Sequence, residues 1–267
     1  MNRARPRRQS TGEPAAEAAH RSPTAVVAAM RRELAGLLTR VEIGRRVDLG
    51  RCRVVCGRLG RAPVILAWTG DGRANAEEGA RRLLDELPVG RLLVLGVSGG
   101  LSPALGPGAL LVARRVLDGG VADVVAAPDP AWLRQALELA EATAGLALST
   151  RALLWRGEQK AAAWRDLAVH EPAAVDLESA AFAAAAAARG VPYLVVRAVC
   201  DAADETLPLD LDRCRDRRGA IRRLAVVGRA IAAPTTIVPL WRMRSRVALC
   251  SERLARFTLQ LIGGGAA

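Results

Sequence analysis

The chain has 267 residues, 51% of them hydrophobic and only 3% aromatic, with a net charge of +12. That is enough to bury one large core built from Ala, Val and Leu. The charge would suit nucleic acid or an anionic membrane, but 38 of the 39 basic residues are arginine and one, Lys160, is lysine, which reads as a compositional bias. Without interleaved aromatics there is no platform for stacking bases, so no nucleic-acid partner is expected.

Residues 1–22 lack periodicity and read as a disordered basic tail without the apolar core of a signal peptide. "TAVVAAM" at 24–30 predicts a first strand, continued by "RRELAGLL" as a helix. Residues 51–57 and 62–68 predict paired strands around a turn at Gly60. "TGDGRANAEEGARRLLDEL" turns through glycine into an amphipathic helix with Ala76, Gly79, Leu83 and Leu84 on one face. "RLLVLGVSGGL" is a buried strand ending in a glycine turn, and "GALLVARRV" is another strand. A helix over 130–146, a strand in "LALSTRALLW" and a short helix over 158–168 come next. "AAVDLE" (strand), 179–189 (helix) and "PYLVVRAVCD" (strand) complete the body. Such alternation predicts an α/β domain over 23–210.

Residues 211–267 read as a basic helical extension of two amphipathic helices. In the second, Leu240, Met243, Val247, Cys250, Leu254 and Phe257 recur at spacings of three and four, one helical stripe. It either packs on the body or lies on a membrane surface. No apolar run reaches the ~18–20 residues of a membrane span. Five scattered cysteines predict a reducing, cytoplasmic compartment. With two histidines, a His-rich metal site is excluded, and no metal is expected.

Two glycine turns, around Gly70 and Gly72 and around Gly99 and Gly100, follow strands. Turns at strand carboxyl ends build the crevice where α/β sheets bind small ligands. The Gly70–Gly72 pair lacks the third glycine of a dinucleotide fingerprint, which disfavours a nicotinamide enzyme. Three acids accompany these turns. Glu33 follows the first strand, and its bland reading is a solvated helix acid. Glu178 opens a helix, where a carboxylate can serve as a cap. Asp201 ends an apolar strand, where desolvation would raise its pKa and make it a general-acid candidate.

The succession "AMRREL", "GDGRANA", "GVSGGLSPALGPGALLV", "AVDLESAA", "RAVCDAADE" resembles the purine nucleoside phosphorylase/uridine phosphorylase superfamily, in its methylthioadenosine/S-adenosylhomocysteine nucleosidase-like branch. The tail from "PLDLDRCRD" onward is most similar to the hopanoid-associated phosphorylase group, implicated in removing adenine from adenosylhopane. The resemblance implies a three-layer α/β/α sandwich around a mixed central sheet and a homo-oligomer. It implies cleavage of an N-glycosidic bond in an adenosine-type nucleoside, with no cofactor beyond water, or inorganic phosphate as co-substrate. By resemblance, Asp201 protonates the leaving purine, Glu178 binds the ribose hydroxyls and Glu33 activates the attacking water. Gly99 and Gly100 belong to the turn beside the ribose. Phe182 reads as core rather than a base-stacking ring.

The chain departs from that pattern at Val97, Leu177 and Cys200, where the nucleosidases carry a hydroxyl, a methionine and a serine. Val97 removes a hydroxyl near the nucleophile and leaves Ser98 as the one nearby. Leu177 keeps an apolar contact to the sugar. Cys200 is a weaker hydrogen-bond partner for Asp201. These departures motivate the alternative of a catalytically silent nucleoside- or membrane-binding protein. Val94 and Val97 stand where phosphorolytic members place phosphate ligands, and Glu33 would repel a phosphate dianion, so water is the expected nucleophile. Arg73 is the residue that could reverse this. A lipid-linked substrate would need an apolar exit lined by the C-terminal helices, at the inner membrane surface. Truncation after residue 234 should then spare small nucleosides alone.

Overall fold

The computed structural model describes residues 22–119, 124–139, 141–168, 170–210, 212–214 and 234–263. The strands are β1 (Thr24–Ala28), β2 (Glu42–Leu49), β3 (Cys52–Leu59), β4 (Ala62–Trp68), β5 (Arg91–Gly100), β6 (Leu110–Asp118), β7 (Ala142–Ser149), β8 (Ala173–Asp176) and β9 (Tyr193–Asp201). A 3-10 turn, Arg31–Leu34, runs into the single helical turn α1 (Ala35–Leu38). The other helices are α2 (Arg73–Glu86), α3 (Pro130–Leu137), α4 (Gly157–Leu167), α5 (Ser179–Ala187) and α6 (Ile237–Gly263).

All nine strands join one mixed sheet in the order β2-β3-β4-β1-β5-β8-β7-β6-β9. Every residue of β9 is buried, the mark of a strand covered on both faces. β5 runs parallel to β1 up to Val94 and parallel to β9 up to Gly99. Beyond the end of β1, β8 takes its place and pairs antiparallel with Gly99 and Gly100. The sheet thus closes on itself through β5, β8, β7, β6 and β9. Gly100 also lets the loop after β5 pack closely, because a Cβ there would stand 2.9 Å from the Leu105 carbonyl oxygen.

Two apolar cores flank the sheet, giving the expected three layers. Ala76, Ala80 and Leu83 of α2 and Phe182 of α5 fill one side. Leu34, Leu37, Trp132 of α3, and Leu254 and Phe257 of α6 fill the other. Phe182 is fully buried in the first of these, as core. Of the α6 stripe, Val247, Cys250, Leu254 and Phe257 are buried against the body, while Leu240 and Met243 are half-buried. Among the described residues no helix is long and apolar enough to cross a membrane.

Some element boundaries differ from expectation. The helix over 130–146 ends at Leu137, and β7 begins at Ala142. The Ala- and Glu-rich "ELAEATAG" has helical propensity, but pairing of β7 with β6 and β8 overrides it. β2 was not foreseen; its residues are mostly exposed, so no apolar alternation betrays it. The tail at 1–21 and, from residue 215 on, the first C-terminal helix expected over 213–231 lie outside the described residues.

Candidate active site

The ends of β1, β5, β8 and β9 converge on one cavity. Met30 and Glu33 enter from the turn after β1, Val97, Ser98 and Gly99 from β5, Leu177 and Glu178 after β8, and Cys200 and Asp201 from β9. Asp71 reaches in from the first glycine loop, and Leu153, Leu207, Met243 and Val247 supply apolar wall.

Glu33 is not a solvated helix acid. It is 3% exposed. Its Oε2 accepts the Met30 N–H at 2.7 Å and its Oε1 accepts the Val97 N–H at 3.0 Å. Burial raises its carboxyl above the usual range, opposed by the Val97 amide and by Arg197. Val97, which brings no hydroxyl, thus contributes through its backbone.

Glu178 stands at the N-cap position of α5, but its side chain makes no capping hydrogen bond, because Asp176 takes that work. Asp176 Oδ1 accepts the N–H groups of Glu178 and Ser179 at 2.9 Å each and the Ser149 hydroxyl at 2.8 Å. Its Oδ2 pairs with Arg197 Nε at 2.8 Å and accepts the Ser179 hydroxyl at 2.5 Å. Glu178 is left to turn toward the first glycine loop, where its Oε1 accepts the Gly72 N–H at 2.7 Å. Burial, then the charges of Asp176 and Asp71, push its carboxyl up to about 8, with Arg197 opposing.

Arg197, on β9, was missed by sequence reasoning, which read its strand as uniformly apolar. It is 1% exposed and stands in register with Gly96. A Cβ at Gly96 would overlap the Arg197 guanidinium and come within 3.1 Å of Glu33 Oε1. Arg197 Nη2 and Ser98 Oγ are the buried side-chain polar atoms with no partner among the described residues. Buried polar groups are ordinarily satisfied, so two orphans beside buried carboxylates mark a place for a polar ligand.

Asp201 has a different partner from the one expected at position 200. Lys160 Nζ lies 2.5 Å from its Oδ2. Burial raises the Asp201 carboxyl, and Lys160 opposes the rise. Cys200 is buried, and its thiol is pushed up to about 12, so it stays neutral beside the acid.

The other predicted residues divide. Leu177 and Gly99 line the cavity. Gly100 lies behind it, in the β5–β8 pairing. Gly70 and Gly72 adopt positive φ, 94° and 91°, to turn the loop that delivers the Gly72 amide. Arg73 does not line the cavity. Its guanidinium is held by Glu77 at 2.7 Å and by Asp118, whose Oδ2 stands at 2.7 Å. Met243 and Val247 carried a signal, the α6 stripe; Leu153 and Leu207 carried none beyond being apolar.

A family model described as the phosphorylase superfamily matches residues 23–232. The 5′-methylthioadenosine/S-adenosylhomocysteine nucleosidase of Geobacillus thermodenitrificans is 29% identical over 200 residues, covering 68% of this chain and 84% of that protein. Its counterpart in Geobacillus kaustophilus is 28% identical over 200 residues, covering 68% and 85%. Among solved structures, a mutant nucleosidase of Helicobacter pylori with 5′-methylthioadenosine in its active site superposes with a TM-score of 0.71 at 17% identity, over 91% of this chain and 99% of that one. The futalosine hydrolase of the same organism gives 0.71 at 17% identity, over 91% and 98%. The structures speak to the fold and the family match to descent: this chain belongs to the phosphorylase superfamily, as an enzyme of its methylthioadenosine/S-adenosylhomocysteine nucleosidase-like branch.

Proposed function

We propose that the protein cleaves the N-glycosidic bond of an adenosine-type nucleoside with water and releases the purine base. The observation that carries this reading is Glu33, clamped by two backbone amides close to Arg197, across one cavity from Asp201. The base leaves poorly as an anion, so Asp201 gives it a proton as the C1′–N bond breaks. The sugar then carries positive character, which favours the ionised form of Glu178; that carboxylate offsets the charge while accepting hydrogen bonds from the ribose hydroxyls. Water adds its oxygen to C1′ and loses a proton to Glu33. Ser98 Oγ, which lines the cavity, is free to hold that water. The names of the Geobacillus relatives support the substrate class.

Water is favoured over inorganic phosphate by charge. Arg197 is already paired with Asp176, and Arg73 is engaged by Asp118 and Glu77. Arg32 is exposed at the edge of the cavity, while Glu33 and Asp71 inside it would meet a phosphate dianion with like charge, a costly burial. No cofactor enters the scheme.

The finer reading is that the nucleoside is lipid-linked, as adenosylhopane is, and that the protein works as a homo-oligomer. The apolar wall of Leu207, Met243 and Val247 supports a lipid-bearing 5′ group. Peripheral contact with the inner membrane surface is supported by Val238 and Trp241, 58% and 69% exposed on α6, beside the exposed Arg242 and Arg244.

The test is adenine release from S-adenosylhomocysteine, methylthioadenosine and an adenosylated lipid, with and without phosphate. The expected product is the free sugar, formed without phosphate. Glu33→Ala should lower the rate by about 10²–10⁴-fold. Release that continues undiminished in Glu33→Ala and requires phosphate would overturn the water mechanism. Measurable binding with no release of base from any substrate would favour a silent nucleoside-binding protein.

A further inference from the structure

Lys160 is the single lysine of the chain, and it is fully buried. Its Nζ donates to Asp201 Oδ2 at 2.5 Å and to the Ala202 carbonyl at 2.6 Å. A buried ammonium is costly unless paired and hydrogen-bonded, and both partners here belong to the end of β9. The helix that carries Lys160 is docked on the same place. The Gly157 N–H, at the start of α4, donates to Thr206 Oγ1 at 3.1 Å, and the Leu207 N–H donates to the Trp155 carbonyl at 2.7 Å. Gly157 allows this approach, since a Cβ there would stand 2.5 Å from the Asp204 carbonyl oxygen.

Other charges around Asp201 are already balanced. Glu205, in the loop after β9, pairs with Arg246 of α6 through contacts of 2.6 and 2.7 Å. The Cys200 and Cys250 thiols are pushed by burial to about 12 and about 11, and so are neutral. Lys160 is therefore the cation placed to act on the Asp201 carboxyl.

We propose that Lys160 is a positioning residue for Asp201: it holds Oδ2, leaves Oδ1 to deliver the proton to the departing base, and stabilises the carboxylate that remains. This rests on the nucleosidase reading, in which Asp201 is the acid. The proton passes from Oδ1 to a base nitrogen, and the C1′–N electron pair goes with the base. Asp201 ends the step as a carboxylate paired with the Lys160 ammonium, and is reprotonated from solvent once the base has left. Without Lys160 the same carboxylate would form next to a neutral side chain in a buried site.

The experiment compares wild type and Lys160→Met on methylthioadenosine and on 4-nitrophenyl riboside, whose leaving group departs without protonation, across pH. Wild-type nucleoside turnover should fall on the alkaline side as Asp201 loses its proton. In Lys160→Met that limb should move to higher pH, because nothing opposes the desolvation of the carboxylate. Nucleoside turnover at neutral pH should drop by about 10²-fold. Nitrophenyl riboside turnover should stay within about threefold, and in an Asp201→Asn background Lys160→Met should cost nothing further. Equal losses on both substrates with an unmoved alkaline limb would overturn the inference. Should Lys160→Met not fold, Lys160→Arg keeps the charge and should keep the wild-type limb; a limb moved to higher pH although the charge is kept would overturn it. Wild type cleaving neither substrate would instead sink the nucleosidase reading itself.

Discussion

Glu33, Glu178 and Asp201 share a physical situation: burial raises the carboxyl of each above its ordinary value. On the proposed mechanism, the developing sugar cation draws the buried Glu178 carboxyl into its ionised form, which is poorly solvated until the sugar arrives. The same burial makes the empty site a liability for folding. Between the ordinary value of 4.5 and about 8, folded Glu178 keeps a proton that the unfolded chain has lost. The folded state then binds more protons than the unfolded one, so stability falls as pH rises through that window. Glu33 and Asp201 push in the same direction. Glu178→Gln should therefore flatten the decline and stabilise the protein at pH 8 by an amount on the order of a few kcal/mol. Urea denaturation of both proteins at pH 5, 6.5 and 8 measures it. Parallel stability profiles for the two would show that Glu178 ionises without penalty, and the picture of a desolvated sugar site would fail.

At the scale of elements, the site depends on the register of β5 and β9. Gly96 opposes Arg197, and the missing side chain is the space the guanidinium occupies. Gly96→Ala should expel Arg197 from beside Glu33 and break its buried pair with Asp176, which costs about 3–5 kcal/mol when one partner is lost. Nucleoside turnover should fall by at least about 100-fold with a lowered Tm; unchanged turnover would remove Arg197 from the account. How legible this was in the sequence varies by element. β5 and β9 were plain from their apolar runs, and Glu33, Glu178 and Asp201 were found because carboxylates stand out at strand ends. Arg197 was hidden inside such a run, and Lys160 lay on a short helix that carried no further signal. Their partners, Asp176 and Asp201, are brought to them by pairing and packing that no local pattern records. β2 was missed and α3 overextended for a related reason, since sheet pairing decides both against local composition.

At the scale of the molecule, α6 is bound into the body rather than appended to it. Val247, Cys250, Leu254, Ala255, Phe257 and Leu261 are buried in the core they share with β1, β5 and β9. The helix also clasps the turn that carries Glu33. Ser251 Oγ donates to the Glu33 carbonyl at 3.1 Å, and Arg40 donates to both Glu252 carboxylate oxygens, at 3.0 and 2.6 Å. Gly36 packs so closely on α6 that a Cβ there would stand 2.8 Å from the Ala255 Cβ. Each buried Val, Leu or Phe contributes about 1.5–3 kcal/mol, and a whole domain is stable by only about 5–15 kcal/mol. Ending the chain at residue 236 removes a contribution comparable with that margin and uncovers the face that holds Glu33. The truncated chain should thus lose turnover of small nucleosides and of any lipid-linked one alike, contrary to the selective loss that a separable extension would give. It should also melt without a cooperative transition by circular dichroism. A truncated chain that unfolds cooperatively and still releases adenine from methylthioadenosine would show α6 to be dispensable to the site it covers.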